Sequence, residues 1–410
     1  MNKNTVYSLR ILTSTFLPHL SCSLVQNFVG PLAPFLQESL SITRTQIGML
    51  ISIQHVGQVA MAIPAGAIVE RVGIRIWLFF SPFFLGLCAL YFACAKSFIA
   101  GVVIFLLGGF MYAFINPATT KAILLGFAQE RRGTAIGIKH TGTPAGSFIA
   151  AAVLPAAALA YGWEWSIILV AVISILVGLF GWLLYQEREN NSVGEEAILP
   201  QQSNAKEDIF KLLRNTDFLL TSGLQAIFVM SLYIIQAYLV LYLVEFLGYS
   251  KVYAGFVMAA VQLIGAISRI GFGMVSDFIF DGRRVPVLQI MGFITVIGLV
   301  GLGFLNAATP SWITFLAASL AGGGSTGFMG TAVLLRAELA GKHLVATSTG
   351  MGMAIAASGI LLGPPLFGFI VDSIHSYRIA WEAIALLNLV STLLLRFIHE
   401  PVGKEIQKGF

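Results

Sequence analysis

The chain has 410 residues, 57% hydrophobic and 10% charged, with a formal net charge of +5 and a mean hydropathy of +0.86. Soluble domains carry about 25% charged residues, so this composition excludes a water-soluble globule and points to an integral membrane protein. The basic residues are spread along the chain, which excludes a nucleic-acid partner, and Cys22, Cys88 and Cys94 lie in apolar runs without metal-ligand spacing. These cysteines are read as small buried hydrophobes, and no metal or cofactor is implied.

An unpaired backbone cannot be left in lipid, so spans are helical. Apolar runs of about 20 residues predict twelve of them, at 9–36, 46–68, 76–95, 98–126, 134–160, 165–186, 216–244, 252–278, 286–306, 312–337, 345–373 and 378–398. The first has Lys3 ahead of it and Arg10 at its start, contains His19, Gln26 and Asn27, and is too long for a signal-peptide core, so it is expected to be retained. Its Thr15, His19, Cys22 and Gln26 share one helical face, and in the second span Gln54, His55 and Gln58 cluster. His19 and His55 both fall near mid-membrane, where ionisable groups cost about 2.5–3.5 kcal/mol on insertion scales and default to functional candidates. After the second span comes "GAIVERVGIR" (66–75).

The fourth span ends in Asn116, Thr119, Thr120 and Lys121, a polar run with no reason to face lipid. Lys139 and His140 stand about two turns into the fifth span. At 1.5 Å per residue that is about 10 Å, within snorkelling reach, so both are read as extending to the interface. The longest polar stretch, 187–215, divides the spans six and six and is expected to be a cytoplasmic linker. The seventh span carries Gln236, and the eighth carries Arg269 eight residues before Asp277. A guanidinium stays charged and matches oxyanions in two-point contact. "GMVSDFIFDGRR" (273–284) then repeats the earlier loop, with Gly273 on Gly66 and Asp277 on Glu70. In the tenth span "AGGGSTGFMG" (321–330) is a packing motif, since no Lys-Ser/Thr follows, and "LLGPPLFG" (361–368) predicts a bend in the eleventh. Trp163, Trp165 and Trp381 fall at span ends, as interface anchors do.

On this placement one side's loops carry only Arg44, Lys96, Lys251 and Arg378, and the remaining Lys and Arg lie toward the other side. The positive-inside rule then makes both termini cytoplasmic. Glu38, Glu164, Glu245, Asp372 and Glu382 map near outer ends, leaving no carboxylate at mid-span. A cationic substrate needs such a carboxylate to offset its desolvated charge. A core furnished with Lys, Arg and His attracts anions instead.

Gly66, Glu70, Arg71, Gly73 and Arg75 resemble the loop signature of the major facilitator superfamily, with Glu70 where Asp is usual, and Asp277, Gly282, Arg283 and Arg284 resemble its second-half copy. The resemblance covers essentially the whole chain. It implies an all-α membrane protein of twelve transmembrane helices in two pseudo-symmetric six-helix halves, 1–186 and 216–410, joined by 187–215 and rocking about a central site. Within it, "NPATTK…RRGTAIGIKHTGTPAG" is similar to bacterial anion porters and organic-anion symporters, and Arg269 resembles an anion-binding arginine of the nitrate/nitrite porters. Two departures stand out: Ala62 occupies the first-half equivalent of Arg269, and Ile104 stands where many proton-coupled members carry arginine.

The expected function is secondary transport of a small anionic solute across the inner membrane by alternating access, as proton-coupled uptake. The alternative is proton-antiport export of amphipathic or anionic compounds. Arg269, Lys121, Asn116, Gln26 and Gln236 are the expected substrate-binding residues, and His19 or His55 carries the proton, since an unperturbed histidine titrates near about 6.5. Gly66, Glu70, Arg71, Gly73, Arg75, Asp277, Arg283 and Arg284 are expected to gate the conformational change. No nucleophile–base cluster or HExxH spacing suggests an enzyme. The expected surroundings are a lipid bilayer, with the chain a monomer.

Overall fold

A computed structural model describes residues 3–185, 205–341 and 344–400. Among the described residues the regular structure is helical: α1 (Lys3–Gln26), α2 (Val29–Leu40), α3 (Arg44–Val72), α4 (Ile74–Ala95), α5 (Phe98–Tyr112), α6 (Ile115–Gly126), α7 (Gln129–Tyr161), α8 (Trp163–Leu184), α9 (Ala205–Arg214), α10 (Thr216–Glu245), α11 (Lys251–Phe278), α12 (Val285–Phe304), α13 (Ser311–Ala340), α14 (Val345–Ile374) and α15 (Tyr377–Leu394). Among the described residues ten helical segments, with α5 and α6 taken together as one, are long and apolar enough to cross a membrane.

Each of the twelve predicted spans has its helix. Two are broken: the first into α1 and α2 around Asn27 and Phe28, the fourth into α5 and α6 around Ala113 and Phe114. Pro117, third in α6, fits there because a first-turn residue has no helical acceptor for its missing N–H. Helix α14 runs unbroken through Pro364 and Pro365. Most of the predicted linker lies outside the described residues, and its end forms α9.

The contacts divide the chain into two units. Unit 1 comprises Met1–Ile42, Met49–Leu199 and Lys251–Ala259; unit 2 comprises Thr43–Gly48, Pro200–Ser250 and Ala260–Phe410.

In unit 1, glycines set the helix spacing. A Cβ at Gly142 of α7 would lie 2.8 Å from the Phe16 carbonyl of α1, and one at Gly146 would overlap the Leu20 carbonyl. Close backbone approach needs such small residues, and here it brings the His19 segment of α1 against α7. Helix α4 meets α8 the same way at Gly178, and Ser174 Oγ donates to the Pro82 carbonyl at 2.7 Å.

In unit 2, Phe228 stacks on Phe328 with ring centroids 3.8 Å apart, and the tenth-span glycines pack as predicted: Gly324 lies against Met291 and Thr295, Gly327 against Met291. The first turn of α3 belongs to this unit. Arg44 pairs with Glu245 at 2.8 Å and Asp372 at 3.3 Å, while Thr45 Oγ1 donates to Asp372 at 2.6 Å. The Tyr238 hydroxyl lies 2.7 Å from both the Arg44 and Pro364 carbonyls and donates to one at a time.

The two repeated loops differ. In unit 2, Arg284 pairs with Asp277 at 2.5 Å and with Glu338 at 3.2 Å, and its backbone N–H donates to Glu400. Burial alone would lower the Arg284 pKa, but the hydrogen bond and charge of Asp277 with the charge of Glu338 hold it above the usual arginine value. In the unit 1 loop no ion pair forms among the described residues. Glu70 and Arg71 are exposed, and Arg75 donates to the Trp182 carbonyl at 3.0 Å with its guanidinium 4.5 Å from that ring. Arg75 is held by an aromatic face and a backbone carbonyl rather than an acid. Gly73, at φ 101°, makes the turn between α3 and α4 in a conformation that favours glycine. Gly66 has open space around it, and Gly282 has φ 80° in the corresponding turn of unit 2, followed by an exposed Arg283. Cys22 and Cys88 are buried as expected, but Cys94 is exposed because it falls on the outer face at the end of α4.

Candidate functional site

The polar residues of unit 1 meet where α1, α6 and α7 pack. At their centre is Lys139, whose side chain is 0% exposed. This corrects the expectation that it snorkels: its stem turns sideways into α6. Its Nζ lies 2.6 Å from Thr120 Oγ1, 3.0 Å from Asn116 Oδ1, 3.1 Å from Thr119 Oγ1 and 3.4 Å from the Asn116 carbonyl. An ammonium has three protons, so its hydrogen-bonding demand is met, but every acceptor is neutral. Among the described residues no carboxylate pairs with it. A buried cation without a counter-charge is costly.

Thr119 joins Lys139 to the histidine. Its hydroxyl donates to the Ile115 carbonyl at 2.7 Å, so its oxygen accepts both from Lys139 and from His19 Nε2, the latter at 3.0 Å. His19 therefore carries its proton on Nε2. Its Nδ1 is buried without a hydrogen-bond partner among the described residues. The exposed His140 ring lies beside it, with centroids 5.4 Å apart. His19 thus presents a bare lone pair close to a fixed cation.

Three expected residues thus fall in or beside this cluster: His19, Asn116 and, on the same helix, Lys121. Asn116 is exposed and forms the open edge; Lys121 is half-buried, with no hydrogen bond or ion pair among the described residues. Gln26 and His55 meet each other in a separate network. His55 Nδ1 lies 2.9 Å from the Ile51 carbonyl and donates to it, leaving Nε2 to accept from Gln26 Nε2 at 3.4 Å.

The other two expected residues belong to unit 2. Arg269 is exposed; its stem lies 3.3 Å from where a Gly330 Cβ would be, and Nη2 is 3.6 Å from the Met329 sulfur. Tyr233 of α10 is within electrostatic reach of it, and Gln236, half-buried, stands one turn further along α10.

Two features escaped the sequence reading. The pairing of Lys139 with Asn116, Thr119 and Thr120 was signalled only by two polar runs on consecutive spans. Arg336 of α13 is 0% exposed and was not singled out, because an arginine four residues from a helix end looks like an interface residue.

The described residues show no grouping of three or more His, Cys, Asp or Glu side chains able to hold a metal ion. What the arrangement offers is a cation, neutral donors and acceptors, and a histidine lone pair inside a helical bundle. The family model described as Major Facilitator Superfamily matches residues 15–351. The chain belongs to the major facilitator superfamily. This major facilitator is 24% identical over 385 residues to the hexuronate transporter of Bacillus subtilis (strain 168), covering 91% of this chain and 90% of that one. It is 26% identical over 387 residues to the probable L-galactonate transporter of Escherichia coli (strain K12), covering 90% and 84%. Its fold matches the crystal structure of a bacterial homologue of the human lysosomal transporter Spinster, with a TM-score of 0.79 at 16% identity over 98% of this chain and 97% of that one. The protein is accordingly a multi-pass membrane transporter and not an enzyme, with the twelve-helix fold expected of the superfamily.

Proposed function

We propose that this transporter carries a sugar acid, a small polyhydroxylated carboxylate, by proton-coupled uptake through alternating access. The observation that carries the reading is Lys139, a fully buried cation whose partners are hydroxyl and amide oxygens rather than a carboxylate. A sugar acid suits such a group twice over: its carboxylate neutralises the ammonium, and its hydroxyls replace the exchangeable hydrogen bonds of Asn116 and Thr120. The names of the two relatives, a hexuronate and a probable L-galactonate transporter, support the same class of solute.

In this reading Asn116 and Lys121 on α6 receive the solute, and Arg269, Gln236 and Gln26 supply further polar contacts. His19 takes the co-transported proton at Nδ1. Proton and anion assist one another, because a carboxylate beside Lys139 cancels the positive potential that otherwise opposes protonating His19. His55 is the second proton-carrying candidate. Coupling requires that the transport-competent equilibrium shift only with both aboard. The repeated loops 66–75 and 273–284 gate the change, between halves 1–186 and 216–410. The basic loops support cytoplasmic termini in an inner membrane, and the unit of function is one chain.

The test uses purified full-length protein in proteoliposomes with D-glucuronate, and D-glucose as the uncharged control. Acid-outside gradients should accelerate D-glucuronate entry and leave D-glucose excluded, with alkalinisation of the outer medium as solute enters. Failure to move any hexuronate or hexonate would remove the sugar-acid assignment. Acidification of the outer compartment on solute addition would favour antiport export instead.

A further inference from the structure

Arg336 is the most anomalous side chain in unit 2. It is 0% exposed, and its Nε, Nη1 and Nη2 all lack a hydrogen-bond partner among the described residues. Arginine does not escape such a site by losing its proton. An unpaired buried guanidinium costs several kcal/mol by order of magnitude, so chance packing is a poor account of it.

The internal repeat explains where it sits. "KAILLG" (121–126) aligns with "RAELAG" (336–341), and "TAIGIKH" (134–140) with "TSTGMGM" (347–353). Lys139 therefore corresponds to Gly352. A Cβ at Gly352 would overlap the Arg336 guanidinium, so that group fills the space over α14 where a residue equivalent to Lys139 would start. Each unit thus places one cation in the equivalent contact, from α7 in unit 1 and from α13 in unit 2. The acceptors differ. Asn116, Thr119 and Thr120, which satisfy Lys139, correspond to Thr331, Leu334 and Leu335. Only Thr331 is polar, and its hydroxyl is itself buried without a partner. Unit 2 supplies the cation and almost none of the oxygens.

We infer that Arg336 is a second oxyanion-binding residue, which takes the carboxylate or phosphate of a small anion when α14 bends away at Gly350 and Gly352. The guanidinium gives two parallel N–H donors to a planar oxyanion, and Thr331 one hydroxyl on the same helix. The glycines leave room for the bend: Gly350 is exposed with nothing within 4 Å of its Cβ position, and a Cβ at 352 would displace the Arg336 guanidinium. The inference deepens the sugar-acid reading and rests on it for the identity of the solute, but not for the existence of the site.

The experiment uses the full chain in detergent with Lys139→Gln as background, so that unit 1 contributes no buried cation. D-glucuronate and inorganic phosphate are added separately while thermal stability is recorded and phenylglyoxal labelling of Arg336 is followed by mass spectrometry. At least one anion should raise the melting temperature and slow Arg336 labelling about tenfold or more, the size expected for a charged hydrogen bond. Protection by D-glucuronate alone makes the transported solute the occupant; protection by phosphate makes it any small oxyanion. Adding Arg336→Met should raise the anion-free melting temperature, because an unpaired charge is removed, and abolish the response to anion; Arg336→Lys should restore part of it. An anion response that survives Arg336→Met, or no response to either anion in the background, overturns the proposal. If the reagent never reaches Arg336, the melting comparison alone decides. Failure of the sugar-acid reading looks different: the protein with Lys139 intact would then bind D-glucuronate no better than the Lys139→Gln background.

Discussion

The Lys139 ammonium lies 2.6 Å from the Thr120 hydroxyl and is wholly enclosed, yet the oxygens around it carry no charge. Replacing this residue by a methionine of similar length should therefore leave the fold intact. A buried charge exchanged for a well-packed apolar side chain is often neutral or stabilising by about 1–4 kcal/mol. The expected result for Lys139→Met is an unchanged or higher melting temperature together with lost transport. A large fall in melting temperature would mark Lys139 as a structural strut.

Thr119 bridges the cation and the histidine, accepting from both while donating to the Ile115 carbonyl. Thr119→Val keeps the shape and removes all three bonds. It should cost about 1–3 kcal/mol, seen as a lower denaturation midpoint, and weaken transport. Thr119→Ser should recover most of both.

His19 offers its Nδ1 lone pair without a partner, whereas both nitrogens of His55 are engaged. His19→Gln should keep D-glucuronate binding and flatten the pH dependence of uptake. His55→Gln should lower stability more than it alters the pH profile. Exchange of these two phenotypes would move the proton role to His55.

Much of the scaffold was legible because lipid leaves the backbone so little choice: apolar runs become helices, and Gly322 to Gly330 in α13 had no use but close packing. The breaks at Asn27–Phe28 and Ala113–Phe114 were not legible, since neither junction holds a proline or glycine to mark it. The burial of Lys139 was missed for a physical reason. Depth along a helix says whether a lysine can reach water, but which neighbour covers it depends on the α6–α7 contact, which no single-helix pattern reports. Arg336 was missed the same way, because Gly352 matters only once α13 and α14 are side by side. The contact of Arg75 with Trp182 was not legible either, because Trp182 lies 107 residues further along the chain.

Arg284 holds Asp277 and Glu338 together, so Arg284→Gln should destabilise by about 1–3 kcal/mol. The sign with pH is fixed by its raised pKa. Stability from a group whose folded pKa is raised is present below the unfolded value and lost only as pH climbs through the folded one. For an arginine that window lies above the neutral range, so the loss on mutation should be flat from about pH 6 to pH 9. A loss that shrinks over that interval would show that another group carries the effect.

Helix spacing offers an independent check. A Cβ at Gly109 would overlap the Gln54 carbonyl of α3. Gly109→Ala should force α3 and α5 apart at a cost of about 1–3 kcal/mol, read as a lower melting temperature, whereas Gly66→Ala, with open space around it, should be tolerated.

The most direct test of the central claim is calorimetric titration of D-glucuronate into purified wild-type protein, Lys139→Arg and Lys139→Gln. Binding should be lost or weakened about tenfold or more in Lys139→Gln and partly kept in Lys139→Arg. Equal affinity in all three proteins would contradict the account, because a carboxylate neutralised by Lys139 cannot be indifferent to its removal.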